Sequence, residues 1–134
     1  MSVTVDTMVK EILVIDDSPG LRKMIISCLS NHFDDFKYIE AEDGMDGLHK
    51  IKIHDIKMII VDYHMPRMNG LEFIQKIKNM DFYSKIPIIV LTSEMDERRK
   101  AETYHAGAVV YVYKPFKWET LVKTVKTVRY WQMK

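Results

Sequence analysis

The sequence predicts a doubly wound α/β domain in which five parallel strands alternate with five helices. Short apolar runs and amphipathic stretches succeed one another five times along the 134 residues. Three of the runs, at 11–16, 57–62 and 87–92, are almost wholly aliphatic, as strands are when both faces of a parallel sheet are covered. A five-fold βα alternation closes into one such sheet through right-handed crossovers.

Each element has its own local justification. Glu11-Ile12-Leu13-Val14-Ile15 forms a strand that delivers Asp16 and Asp17 at its end. Ser18-Pro19 then supplies a cap and a first-turn proline for a helix over 18–32, since proline there loses no hydrogen bond. The run 37–41, Lys-Tyr-Ile-Glu-Ala, mixes polar and apolar residues and reads as an edge strand, followed by a helix over 44–54. The strand 57–62 ends on Asp62, and Asn69-Gly70 turns the chain into a helix over 70–79. The strand 87–92 ends on Thr92-Ser93, and Gly107 stands where a helix over 96–106 should stop. A last strand, 109–113, runs into Lys114-Pro115 and a helix over 117–132, in which Leu121, Val125 and Val128 make one apolar stripe.

Bulk properties narrow the class. A chain of 134 residues is one domain, able to bury roughly two-thirds of its unfolded surface. An apolar content of 47% with balanced charge argues against disorder. The net charge of +1 lends no support to a nucleic-acid or membrane-surface partner. The single cysteine, Cys28, cannot form an internal disulfide, and the first ten residues lack the pattern of a signal peptide. No apolar run approaches the roughly 20 residues of a membrane span. The expectation is a cytoplasmic protein with a short tail over 1–10 and one domain over 11–134.

In doubly wound sheets ligands bind beyond the carboxyl ends of the strands, at the topological switch point. That rule gathers Asp16, Asp17, Asp62, Thr92 and Lys114 at one edge. Taken singly, each has an ordinary reading: Asp-Asp-Ser and Thr-Ser as helix caps, a strand-end aspartate as a turn residue. Together they describe a metal and phosphoryl site. Three carboxylates crowded together resist full ionisation, and Mg2+, which prefers a few carboxylates and several waters, relieves that conflict. Asp62 can then serve as a nucleophile, with Lys114 balancing charge on the transferring group.

The blocks Val14-Ile15-Asp16-Asp17-Ser18, Asp62 to Gly70, Leu91-Thr92-Ser93 and Tyr111-Val112-Tyr113-Lys114-Pro115-Phe116 resemble the signature segments of response-regulator receiver domains. The resemblance spans residues 11 to about 131, and its layout is most similar to the stand-alone, chemotaxis-type regulators. It implies a flavodoxin-like (βα)5 fold with strand order 2-1-3-4-5, a fold for which this family is a standard example. It implies that Asp62 accepts a phosphoryl group from a histidine kinase. Asp16, Asp17, Asp62 and the backbone carbonyl of His64 would hold Mg2+. Lys114 would pair with the phosphoryl oxygens, across a cis bond to Pro115. Thr92 would be the switch hydroxyl and Tyr111 the aromatic that follows it, with small Ser93 leaving the approach open. His64 and Glu94 occupy positions that tune phosphate lifetime.

The same resemblance implies the partners: a sensor histidine kinase or phosphotransfer protein upstream, and a target reading the face of the fourth helix, fifth strand and fifth helix. It implies a monomer or a phosphorylation-dependent dimer, and a regulator rather than an enzyme acting on separate substrates. Three alternatives belong to other classes. A haloacid-dehalogenase-like phosphatase would carry an aspartate two residues after the nucleophile, where His64 stands. A flavin-binding module would need a glycine- and hydroxyl-rich loop where Asp16-Asp17 would repel phosphate. A docking module would have no use for the complete set of phosphorylation residues. Among the remaining features, the five histidines lack zinc-site spacing, and most of the ten methionines should fill the core. Trp118 and Val122 are expected either to pack against the sheet or to extend a partner surface beside Tyr111.

Overall fold

The apolar runs lie side by side as parallel strands in the computed structural model, which describes residues 10–93, 97–107 and 110–132. The elements in chain order are β1 (Lys10–Ile15), α1 (Pro19–Ser30), β2 (Phe36–Ala41), α2 (Gly44–Ile53), β3 (Ile56–Asp62), α3 (Gly70–Lys78), β4 (Ile88–Thr92), α4 (Glu97–Ala106), β5 (Val110–Tyr113) and α5 (Trp118–Gln132). The sheet order is β2-β1-β3-β4-β5, parallel throughout. The strands run the same way, but β2 is added on one side of β1 and β3 to β5 on the other, which places the switch point between β1 and β3, at Asp16 and Asp62.

Alternation along the central strands divides the core in two. Leu13, Ile15, Ile59, Val61, Ile88 and Val90 face a layer that includes Leu48 and Ile51 of α2 and Phe73, Ile74 and Ile77 of α3. Ile12, Val14, Met58, Ile60, Ile89 and Leu91 face Ile25 and Leu29 of α1 and Leu121, Val125 and Val128 of α5. This two-sided burial is why the central runs read as continuous aliphatics. β2, at the edge, shows the mixed burial that its composition implies. α4 is the outlier, with Thr103 its one fully buried residue, so little apolar surface holds it to the sheet.

Caps mark the helix starts. Ser18 Oγ accepts from the Leu21 N–H at 3.2 Å, and Asp43 Oδ1 accepts from the Asp46 N–H at 2.8 Å. Asn69 and Glu72 form a reciprocal capping box at 2.9 and 3.0 Å. Gly107 closes α4 at a φ of 121°, a conformation that suits glycine.

The boundaries differ from expectation by a residue or two. Lys10, assigned to the tail, opens β1 because it pairs in register with Phe36. The first helix stops at Ser30, because the next turn tightens and the His32 N–H reaches the Leu29 carbonyl at 3.0 Å. Residues 1–9 and Glu94 lie outside the described residues, as does the first residue of the strand expected over 109–113.

Trp118 corrects one expectation. It packs edge-to-face on Phe116 at 5.2 Å and belongs with Val122 to the α1/α5 side of the sheet, whereas Tyr111 packs on the opposite side. The two aromatics do not share a surface. The methionines divide: Met58 and Met68 fill the core as expected, while Met24 and Met45 are exposed.

Candidate phosphoryl and metal site

Three strand ends build the site. Asp16 follows β1 with its backbone N–H on the Ala41 carbonyl at 3.1 Å. Its carboxylate turns inward, with Oδ1 accepting from the Ser18 N–H at 2.8 Å. Asp62 ends β3 and is 6% exposed, and the His64 N–H donates to its carboxylate. Asp17 is exposed, yet its carboxylate completes a cluster in which oxygens from all three acids lie within 4.8 Å of one another. No other such cluster occurs among the described residues.

Lys114 enters from the loop after β5. Its backbone N–H donates to the Thr92 carbonyl at 2.7 Å, and the bond to Pro115 is cis. Nζ stands 3.4 Å from Asp62 Oδ1 and 3.8 Å from Asp16 Oδ2. One ammonium thus faces two buried carboxylates, with a third acid close by.

The electrostatics follow from that imbalance. Burial pushes the Asp62 carboxyl above its usual range, against the opposing pull of Lys114 and the His64 N–H, and Asp17 pushes it further. Burial also raises Asp16, its bond from Ser18 opposes the rise, and the Asp62 charge adds to it. Asp16 Oδ2 is buried and accepts no hydrogen bond. A buried acceptor without a donor is costly, and here it points into a cluster of hard oxygens. Those features fit a small divalent cation that takes carboxylate ligands and keeps some of its waters.

Thr92 is fully buried at the end of β4, one residue beyond Leu91, the register partner of Asp62. Tyr111 is not part of the acidic cluster. Its ring lies edge-to-face on Tyr104 at 4.8 Å, and its hydroxyl donates to the Lys100 carbonyl at 2.8 Å. Burial raises its phenol well above the ordinary value. Ser93 is exposed beside Thr92. The ring of His64 is exposed against Tyr63, so the residue two after Asp62 brings no carboxylic acid to the site.

Sequence reasoning missed three arginines. Arg22 donates to the Asp16 backbone carbonyl at 2.5 Å and pairs with Glu40 at 2.9 Å, holding the loop that carries the acidic pair. Arg67, at a φ of 67°, pairs with Asp43 and so fastens the loop after β3 to the start of α2. Arg99, in the first turn of α4, lines a hollow of about 480 Å³ with Asp17 and His64. A helical offset of one turn from Ser18 could have marked Arg22, but nothing local distinguishes Arg99 from Arg98.

Comparison with known proteins bears on the family and the fold. The family model for the response regulator receiver domain matches residues 12–126. The chain is similar to chemotaxis protein CheY1 of Helicobacter pylori, with 33% identity covering 88% of this chain and 95% of that protein. It also matches hybrid signal transduction histidine kinase D of Dictyostelium discoideum at 32% identity, over 85% of this chain but only 7% of that far longer protein. The solved structure of chemotaxis protein CheY4 of Vibrio cholerae superposes with a TM-score of 0.83 at 33% identity, covering 90% of this chain and 98% of that one.

Proposed function

This chain belongs to the family of response regulator receiver domains, and we propose that it is a phosphorylation-activated switch of a two-component system. The observation that carries the reading is Asp62, a buried strand-end carboxylate faced by the Lys114 ammonium at 3.4 Å and by two further acids. In the proposed reaction an Asp62 oxygen attacks phosphorus, the bond to the donor nitrogen of a phosphohistidine breaks, and the histidine leaves with its electron pair. Lys114 supports the charge on the transferred oxygens, and buried Thr92 supplies a hydroxyl beside them.

Mg2+ is the proposed cofactor, held by Asp16, Asp17, Asp62 and the His64 carbonyl. When bound it offsets acidic charge that would otherwise repel a phosphoryl donor. The polypeptide's part is to keep Asp62 buried, to orient it through the His64 N–H, and to hold Asp16 inward through Ser18.

The readout is a population shift. Phosphorylation adds negative charge and acceptor oxygens next to Thr92 and Lys114. Movement of Thr92 toward them opens space for Tyr111, whose present bond to Lys100 ties β5 to α4. α4 is lightly anchored by its one fully buried residue, so the α4-β5-α5 face is the surface such a shift would remodel. Differential stabilisation of a few kcal/mol is enough to exchange major and minor states.

A histidine kinase or phosphotransfer protein is the proposed donor, and a protein on the α4-β5-α5 face the proposed target. The names of the Helicobacter and Vibrio relatives suggest chemotaxis as the process; the cytoplasm is the proposed compartment. No helix among the described residues is long and apolar enough to cross a membrane. Intact mass after incubation with acetyl phosphate and magnesium tests the reading. A gain of one phosphoryl group, absent in Asp62→Ala, is expected; no gain in the wild type overturns it.

A further inference from the structure

At the end of the sheet away from Asp62, an aromatic side chain stands in water beside a hollow. The hollow measures about 430 Å³, within the range of pockets that take a small ligand. Buried Ile51 and Ile56 and half-buried Ile86 line it, from α2, β3 and the run into β4. Phe82, between α3 and β4, flanks it at 89% exposure, and Ile53, the last residue of α2, at 60%. A lone exposed apolar residue is ordinary, but two beside one apolar hollow form a patch.

Both walls are held in place. Glu11 fastens the corner between α2 and β3: its carboxylate accepts from the Asp55 N–H at 3.3 Å and lies 3.0 Å from His54 Nδ1. Lys78 fastens the loop that carries Phe82, its Nζ donating to the Ser84 and Ile86 carbonyls at 2.7 and 2.9 Å. Phe82 itself lies edge-to-face on Tyr83 at 5.1 Å. A projection and a hollow that are fixed before contact lose little freedom on binding.

The rim carries both signs of charge. Lys52, Lys57 and Asp55 all border the hollow and are exposed, and Lys57 pairs with Asp55 at 3.2 Å. A rim of one sign would repel its own copy, whereas a mixed one can pair with itself. The chain's net charge of only +1 adds little repulsion between copies. A side chain that projects next to a hollow able to receive it makes the patch self-complementary, as a two-fold contact requires.

We propose that this end of the sheet is a self-association surface whose occupant is a second copy of the chain, with Phe82 of each copy entering the hollow of the other. Lys52 of each copy then faces Asp55 of the other across the rim. β3 runs seven residues from Ile56 at the hollow to Asp62. At about 3.3 Å per residue, the contact lies roughly 20 Å from the phosphoacceptor. Both phosphoryl sites and both α4-β5-α5 faces stay open in such a pair, so association does not depend on phosphorylation.

Sedimentation velocity of the full chain over a range of concentrations is the test. A reversible monomer–dimer equilibrium is expected, unchanged by acetyl phosphate with magnesium. Phe82→Ser should weaken association roughly tenfold or more, because a symmetric contact loses its anchor twice. Phe82 is exposed in the single chain, so the variant should still fold and take up one phosphoryl group. Lys52→Glu and Asp55→Lys should each dimerise poorly alone, through like charges across the rim, and restore the dimer when mixed in equal amounts. A wild type that stays monomeric at every concentration, a dimer undiminished by Phe82→Ser, or a mixture that restores nothing overturns the proposal. So does a dimer that forms only with acetyl phosphate, which places the contact elsewhere. Dimerisation only after removal of residues 1–9 also overturns it, assigning the hollow to the chain's own first residues.

Discussion

Lys114 Nζ stands 3.4 Å from Asp62 Oδ1, and it also forms the ion pair of the Asp16 carboxylate, at 3.8 Å from Oδ2. One positive charge therefore answers for two buried carboxylates. Removing it leaves both without compensation, as in the breaking of any buried pair. Lys114→Met is expected to destabilise the metal-free protein at pH 7 by about 1–2 kcal/mol, below the value for a wholly buried pair because the lysine side chain is 25% exposed. Urea denaturation measures this. The deficit should shrink as the pH is lowered, because protonated carboxyls no longer need the ammonium.

The raised carboxyls of Asp16 and Asp62 set a pH dependence of definite sign. Between the unfolded value of 3.8 and the raised folded value, the native state holds more protons than the unfolded state. Stability of the metal-free protein should therefore rise as the pH falls from neutrality toward 3.8. Asp43 acts oppositely. The Asp46 N–H and Arg67 hold its carboxyl below 3.8, so its contribution is present above that pH and lost as the pH falls through the depressed value. A maximum on the acidic side is expected in melting temperature against pH. Magnesium should raise stability near pH 7 and flatten the rise. A metal-free profile that declines steadily from pH 7 downward would contradict the assignment.

Asp16→Asn isolates the cost of the acidic crowd. The amide oxygen can still accept from Ser18, as Oδ1 does at 2.8 Å, while the buried charge is gone. The variant is expected to be about 1 kcal/mol more stable than wild type without metal. It should also gain less stability from magnesium. Thermal melts with and without the ion check both halves.

Tyr111 offers a test of the link between β5 and α4. Its hydroxyl donates to the Lys100 carbonyl at 2.8 Å, but that carbonyl also accepts from Thr103 Oγ1 at 2.9 Å. Tyr111→Phe therefore leaves no orphaned acceptor. The expected loss is at the low end for a hydrogen bond, about 0.5–1 kcal/mol by urea denaturation. Hydrogen exchange should rise selectively in α4, since that helix has little buried apolar surface to hold it once the bond is gone.

Much of this was legible because the chemistry sits where periodicity ends. Asp16, Asp62 and Thr92 each close an apolar run, so finding the strands finds the site. What escaped were relations between elements distant in sequence. Arg67 and Asp43 are 24 residues apart, and the backbone turn that aims Arg67 has no glycine to announce it. Trp118 lies only seven residues after Tyr111, but they pack on opposite sides of the sheet. No local pattern distinguishes those sides, because the sheet order decides them. Lys10 escapes for a related reason: a lysine carries no strand signal of its own, and its pairing with Phe36 places it in β1.

Gly70 ties the start of α3 to the phosphoacceptor strand at a distance only glycine allows. A Cβ there would lie 2.9 Å from the Tyr63 Cα and 3.3 Å from the Asp62 carbonyl oxygen. Both are backbone atoms, so neither can swing aside as a side chain could. The Gly70 N–H also donates to the Tyr63 carbonyl at 2.7 Å, and moving α3 away would break that bond. Gly70→Ala is expected to cost about 2–3 kcal/mol and to slow phosphoryl uptake at Asp62, measured by urea denaturation and by the time course of mass gain. Gly20 is the control. A Cβ there meets nothing nearer than Ser18 Oγ at 4.0 Å, in the first turn of a helix, so Gly20→Ala should stabilise by about 0.4–1 kcal/mol. Equal effects from the two substitutions would mean that helix propensity, and not the approach of α3 to Asp62, governs this part of the fold.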